Sequence, residues 1–170
     1  MKIKFKKLSE NATIPTLHHP TDAGLDLFAA EEITILPATQ VKKMDGDLTT
    51  SLRDIVVNEP QRVVPTDIAW EPENIPEGYK VVGIIKETSG NAMKVCLKIG
   101  GGVVDQNYRG PIGVIIYNFS PKEITIAKGA KIGQLVPMLI PIFEVEEVDD
   151  VNETDRGSKG FGSSGVATDG

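Results

Sequence analysis

Asp105 and Tyr108 stand three residues apart in the run Gly100 to Asn118, which reads Gly-Gly-Gly-Val-Val-Asp-Gln-Asn-Tyr-Arg-Gly-Pro-Ile-Gly-Val-Ile-Ile-Tyr-Asn. A carboxylate and a phenol so spaced on a turn can face a small ligand, and the carboxylate can take a proton from a reacting water. The glycines ahead of them let the backbone approach a ligand closely or adopt positive φ. β-Branched residues flank Asn, Gly and Pro, so the run reads as strand, turn, strand. An ordinary hairpin whose Asp and Asn build the turn accounts for the same residues. Asp26 is a second carboxylate of interest. In Leu25 to Ala29 the apolar Leu25, Leu27 and Ala29 point one way, leaving Asp26 and Phe28 on the other face. An acid in such a strand needs a partner, which makes it an ion pair, a turn contact, or a cation or water site. The last chemical stretch is Arg156 to Gly165, Arg-Gly-Ser-Lys-Gly-Phe-Gly-Ser-Ser-Gly. Two cations and an aromatic stand there among glycines and serines whose N–H and O–H groups can wrap an anion. Composition alone reads it as a flexible tail, and such an arm can close over a charged ligand and exclude water.

Other reactive side chains carry blander readings. His18 and His19 adjoin each other in a proline-bounded loop, where histidines usually face solvent, and no Asp, Glu or Cys stands at zinc-ligand spacing. Cys96 is the single cysteine of the chain, so no internal disulfide or cysteine-based metal cluster is expected. It lies in an apolar stretch and reads as a buried, inert thiol. The net charge of −6 argues against a general nucleic-acid binder, which needs a basic face. A phosphate ligand remains compatible, because a few placed cations and backbone N–H groups suffice to hold one.

The elements that must position these residues read as strands. The 170 residues suit one domain with a real core. Ile3 to Leu8 alternates apolar and basic residues, followed by a loop over 9–21. Further strands are expected at Ile33–Leu36, Arg62–Pro65, Ile68–Trp70, Lys80–Ile85, Val95–Ile99, Ile124–Ile126 and Ile132–Phe143, with a loop over Glu71–Glu77. Short strands separated by turn signals predict an all-β sandwich or barrel. Residues 44–61 differ: Leu48, Leu52, Ile55 and Val56 fall at helical spacing, with Asp47 as an N-cap and Pro60 beyond the end. That stretch reads as a short surface helix or an irregular flap. No apolar run reaches membrane-spanning length, and the N-terminus lacks a signal peptide's apolar stretch. A cytoplasmic protein without membrane contact is expected.

Five blocks, taken in order, resemble the motifs of the homotrimeric deoxyuridine triphosphatases (dUTPases). They are Ala23–Leu27, Ser89–Ala92, Gly102–Gly110, Lys128–Val136 and Arg156–Gly165. Pro65–Ile68 and Ile75–Tyr79 also look like the family's framework. The resemblance implies a jelly-roll-like subunit over 1–145, a mobile C-terminal arm over 146–170 and assembly as a homotrimer. It implies hydrolysis of dUTP to dUMP and pyrophosphate with Mg2+, which limits uracil incorporation into DNA and supplies dUMP for dTMP synthesis. In these terms Asp105 is the base that activates water. Tyr108 packs on the deoxyribose and excludes a 2′-hydroxyl. Ser89, Gly90 and Gln134 meet the phosphates, and the backbone around Gly102 and Val104 meets the uracil. Phe161 stacks over the base, while Arg156 and the N–H groups of Gly162 and Ser163 reach the outer phosphates. Asp26 acts on the magnesium through water.

Two departures from the family pattern stand out. The family usually has arginine before the second-motif serine, and this chain has Thr88 there, preceded by Glu87. A planar, bidentate cation is lost, and Lys86 or Lys94 is the expected substitute. The stretch over 44–61 looks like an insertion, either neutral or a surface for a protein partner, as in some phage-encoded members. Two other readings stand beside the hydrolase. A dCTP deaminase shares the fold but needs a glutamate on the strand after the third motif, and Ile112 to Asn118 has no acid. A nucleotide-responsive binding protein would keep the pocket without the turnover.

Overall fold

Alternation of apolar and polar residues folds most of the chain into short antiparallel strands. A computed structural model describes residues 1–41 and 55–158. In order they form β1 (Lys2–Lys7), β2 (Leu25–Phe28), β3 (Ile33–Ile35), β4 (Thr39–Val41), β5 (Ile55–Val57), β6 (Gln61–Pro65), β7 (Ile68–Glu73) and β8 (Tyr79–Lys86). Helix α1 (Ser89–Val95) follows, then β9 (Leu97–Gly100), β10 (Val103–Asp105), β11 (Gly113–Asn118), β12 (Ile124–Ile126) and β13 (Lys131–Pro141). The all-β expectation holds, with one short helix among the described residues.

One sheet has four strands in the order β10-β8-β13-β2, and another has three in the order β6-β11-β9. β1 pairs with β7, β3 with β12 and β4 with β5. Period-two alternation divides the faces. On β8 the side chains of Val81 and Ile85 go inward, to 2% and 5% exposure. Val82, Ile84 and Lys86 therefore point outward. The inward residues meet Trp70, Leu27, Ile35, Val64, Val104, Val114, Ile116 and Leu135 in one continuous core. Each such side chain contributes about 1.5–3 kcal/mol by leaving water. Gly83 is required at its place in β8, because a Cβ there would lie 2.8 Å from Leu135 Cδ1 and 3.2 Å from Trp70 Cη2.

Several expectations need correction. The run from Gly100 to Asn118 is not a hairpin: β10 pairs with β8, while β11 pairs with β6 and β9. Gly101 and Gly102, with φ of +69° and +78°, turn the chain from one sheet into the other. Val95 to Ile99 is not one strand, since Val95 ends α1 and Cys96 closes it in the left-handed conformation at φ 55°. Cys96 is consequently exposed rather than buried. The expected loop over 71–77 begins later, because β7 continues through Pro72 to Glu73 against β1. Ile55 and Val56 lie on a strand paired with β4, not on a helix. The rest of that proposed helix, including Asp47, Leu48 and Leu52, falls outside the described residues.

Candidate active site

Asp105 ends β10, and three hydrogen bonds fix its surroundings. The indole N–H of Trp70 donates to the Asp105 carbonyl at 3.1 Å. The backbone N–H of Tyr108 donates to the same carbonyl at 3.1 Å and closes the turn. The next residue, Gln106, accepts the Val81 N–H on its Oε1 at 2.8 Å and ties the turn to β8. Trp70 is 1% exposed, so Asp105 rests on a member of the core while it is itself exposed. Tyr108 folds over the turn and donates its hydroxyl proton to the Pro111 carbonyl at 2.9 Å. Gly110 makes this fold possible, because a Cβ there would stand 2.5 Å from the phenol oxygen. Asp105, Tyr108 and the glycines of 100–102 line one cavity of about 400 Å3, closed by Ile85, Ile112 and Ile115. Its size and mixed lining suit a small ligand with an apolar body and polar edges. At its mouth Gly102 passes so close to Ile85 that a Cβ would stand 2.9 Å from the Ile85 carbonyl oxygen.

A second cavity, of about 320 Å3, gathers Gly24, Asp26, Ser89 and Gln134 with Thr88 and Lys131. His18, Asp22, Ala23 and Val136 complete the wall. Register explains the meeting: Gln134 of β13 stands opposite Asp26 of β2 on one side and Lys86 of β8 on the other. Gly24 leaves room for Gln134, whose Oε1 would lie 2.7 Å from a Cβ. Thr88 caps α1, its hydroxyl accepting the Asn91 N–H at 3.3 Å, and so sets Ser89 and Gly90 in the first turn. Asn91 Nδ2 in turn donates to the Lys131 carbonyl at 3.1 Å and joins the helix to β13. Asp26 is 8% exposed and accepts from Lys131 Nζ at 2.8 Å. Glu87 turns away and pairs with Lys98. The lysine's hydrogen bond, more than its charge, holds that carboxyl below its usual value.

The structure thus brings Asp105, Tyr108, Gly102 and Val104 to one cavity and Asp26, Ser89 and Gln134 to another. The two cavities share no lining residue. Asp105 is in register with Val82, four residues from Lys86 along β8, and Gln134 lies on the far side of β8. At strand spacings this separates Asp105 from Gln134 by roughly 15 Å within one chain. Gly90 begins α1 beside Ser89, outside the wall of the second cavity. Arg156 lies in a turn beyond β13, and Phe161, Gly162 and Ser163 fall outside the described residues. Sequence reasoning missed Trp70 and Gln106 as supports of the Asp105 turn; His18 is exposed, as expected, and stands at the wall of the second cavity. A buried tryptophan needs a partner for its N–H, and that was the available signal for Trp70. Lys86 and Lys94 do not line the second cavity; Lys94 sits in the last turn of α1.

A family model for dUTPase matches residues 46–165. The deoxyuridine 5'-triphosphate nucleotidohydrolase of Oryza sativa is 37% identical over 96% of this chain and 81% of its own length. A structure of the Staphylococcus bacteriophage 80alpha dUTPase with dUpNHpp superposes with a TM-score of 0.74, at 30% identity, over 97% of this chain and 99% of that one. A dUTPase from phage phi11 of S. aureus, whose structure describes the coordination of a structural Mg(II) ion, has a TM-score of 0.68. It is 27% identical, over 90% of this chain and 100% of its own.

Proposed function

Because this chain belongs to the dUTPase family and is a dUTP diphosphatase, we propose that its two cavities are the halves of one active site, completed between copies of the chain. The observation that carries this is their separation. A base must reach its water within hydrogen-bonding distance, and Asp105 stands roughly 15 Å from Gln134 in its own chain. A neighbouring copy, in a homotrimer, brings the Ser89–Gln134 cavity against the Asp105 cavity. Exposed apolar side chains on the outward faces, such as Val63, Val103, Phe119 and Met138, at 60%, 65%, 70% and 48% exposure, suit burial in such contacts.

The nucleoside enters the cavity of Gly102, Val104 and Tyr108. Left-handed Gly101 and Gly102 present backbone groups to the uracil edge, and the Tyr108 ring fills the space a 2′-hydroxyl would need. Asp105 orients a water and takes its proton as the water oxygen bonds to the α-phosphorus. The bond from that phosphorus to the bridging oxygen breaks, and pyrophosphate leaves while dUMP stays in the cavity. Ser89, Gly90 and Gln134 hold phosphate oxygens, and the arm carrying Arg156, Phe161, Gly162 and Ser163 closes over the nucleotide.

The donor set suits Mg2+ that arrives with the triphosphate. No group of three or more His, Cys, Asp or Glu at metal-holding distance exists among the described residues, and the Asp26 carboxylate is engaged by Lys131. Magnesium commonly takes one or two carboxylates, with substrate phosphates and waters for the rest. Asp26 would act on it through water, and the ion would supply neutralisation of charge on the phosphates and the leaving pyrophosphate. No described helix is long and apolar enough to cross a membrane. The deaminase reading is not favoured, because β11 and Ile112 ahead of it carry no acid. Nor is a binding protein without turnover, given the named hydrolase relative. The test is a nucleotide panel with magnesium, scoring pyrophosphate and ammonia separately. The wild type should release pyrophosphate from dUTP alone. Asp105→Asn should bind nucleotide but turn over roughly 10²-fold or more slowly. Unchanged turnover in Asp105→Asn would assign the base elsewhere.

A further inference from the structure

Thr88 occupies the place where an arginine would have served the triphosphate, and its hydroxyl is spent on capping α1. The cavity still contains a built cation. Pairing of β13 with β2 slips between Lys131 and Gly133: Lys131 stands opposite Phe28 and Gly133 opposite Leu27. Two residues advance on one strand for one on the other, which is a β-bulge. In a regular strand, residues three apart point to opposite faces. The extra residue cancels this, so Ile132 and Gly133 are both buried while Lys131 and Gln134 share the cavity face. Gly133 is what the bulge requires, since a Cβ there would lie 2.8 Å from Ile99 Cδ1 and 3.1 Å from the Lys86 carbonyl oxygen.

Asp26 then steadies the lysine. Lys131 Nζ sits 2.8 Å from Asp26 Oδ2, with the carboxylate side chain 12% exposed and that of the lysine 41%. An ammonium has three donors. The half-open lysine keeps access to the cavity while its nearly buried partner restricts where it can swing. The loop before β2 adds a second donor. Asp26 N–H bonds to the Thr16 carbonyl at 2.8 Å and fastens the loop beside β2. Two residues on, His18 reaches the cavity wall. Asp22 Oδ2 accepts the His19 N–H at 2.8 Å and holds the loop's shape, and the His19 ring packs edge-on against His18 at 4.5 Å.

We propose that Lys131, aimed by the Gly133 bulge and held by Asp26, and His18 bind the triphosphate in place of the arginine absent at position 88. The proposal rests on the reading of this cavity as the triphosphate half of the site. Its consequence is selective. Both residues strengthen binding of a nucleoside triphosphate more than that of the monophosphate, and neither touches the nucleoside.

The experiment compares dUpNHpp, the non-hydrolysable imido analogue, with dUMP by calorimetry, in the full-length protein. Lys131→Gln removes the charge and keeps an N–H for Asp26, and His18→Ala alters only an exposed loop. Lys131→Gln should weaken dUpNHpp by about tenfold or more for a lost charge-assisted contact, and His18→Ala by a smaller factor for a lost hydrogen bond. dUMP should change little, and Lys131→Arg should stay near wild type. Thr88→Arg in the Lys131→Gln background should recover triphosphate affinity. Ser89→Ala and Gln134→Ala separate the two levels of the argument. If they weaken dUpNHpp while Lys131→Gln and His18→Ala do not, this proposal is wrong and the cavity assignment stands. If none of the four changes dUpNHpp affinity, the cavity assignment itself is wrong. Equal loss of dUMP and dUpNHpp in Lys131→Gln would also overturn the proposal, since it would mark a structural role.

Discussion

Replacing Trp70 with phenylalanine should damage catalysis from inside the core. Trp70 is 1% exposed and its only polar atom donates to the Asp105 carbonyl at 3.1 Å. Phenylalanine keeps an aromatic ring in the site but removes that donor and part of the ring volume. The lost hydrogen bond is worth about 1 kcal/mol. The space left by the smaller ring adds about 1–2 kcal/mol, the scale of a modest core truncation. Stability should therefore fall by roughly 2–3 kcal/mol, tolerable for a domain stable by about 5–15 kcal/mol. Among the described residues the Asp105 carbonyl then keeps only the Tyr108 N–H, and the Asp105 side chain is less sharply placed. Small misplacements of a reacting group cost up to about 10²-fold in rate, so a kcat some tenfold lower is expected, with KM for dUTP nearly unchanged. Denaturant unfolding and steady-state pyrophosphate release measure the two effects side by side. A variant that loses stability but keeps its kcat would show that the indole supports the core and not the base.

Other perturbations read other parts of the molecule. Deleting residues 155–170 should leave the melting behaviour close to wild type and remove most dUTP hydrolysis; unchanged kinetics would exclude the arm from the site. Gly102→Ala places a Cβ 2.9 Å from the Ile85 carbonyl oxygen at φ +78°, a backbone strain of about 1–2 kcal/mol, and calorimetry should show weakened dUMP binding. Lys98→Met frees Glu87, whose pKa is lowered from 4.5 chiefly by the Lys98 hydrogen bond. A carboxyl depressed in the folded state stabilises above its unfolded pKa, and that contribution is lost as pH falls through the folded value. The variant should be less stable than wild type at neutral pH and converge on it in acid, once pH falls below the lowered folded value; a gap that persists in strong acid would assign the loss to packing.

The site was legible in the sequence where residue type is dictated by backbone geometry or by chemistry. Gly101 and Gly102 do adopt left-handed φ, and Asp105, Tyr108, Ser89 and Gln134 do line cavities. What escaped depends on contacts distant in sequence. Strand, turn, strand at Gly100 to Asn118 was right for each segment. Proximity in sequence could not reveal that β10 and β11, joined through residues 106–112, pair in different sheets. Helix α1 has seven residues, too few for a 3.6-residue period to declare itself, and it exists because Thr88 caps one end and Cys96 turns left-handed at the other. Missing that helix also misplaced Cys96. The pairing of Lys131 with Asp26 joins residues 105 apart, and the bulge that aims the lysine appears only once β13 is paired with β2. Thr88, a lost phosphate ligand by the family pattern, is a helix cap in the structure, and the cation that reaches its cavity is Lys131 rather than Lys86 or Lys94.

Complementation between two inactive variants tests most directly whether the site is completed between copies. Asp105→Asn disables one cavity and Ser89→Ala with Gln134→Ala disables the other. Each protein alone should hydrolyse dUTP poorly. When the two are unfolded together and refolded as mixed assemblies, a site that takes Asp105 from one copy and the phosphate cavity from another finds both intact in about a quarter of random pairings. Pyrophosphate release should then recover to about that fraction of wild type. Mixed assemblies, verified by mass, that remain as inactive as their parents would place both halves of the site within a single chain and contradict the account.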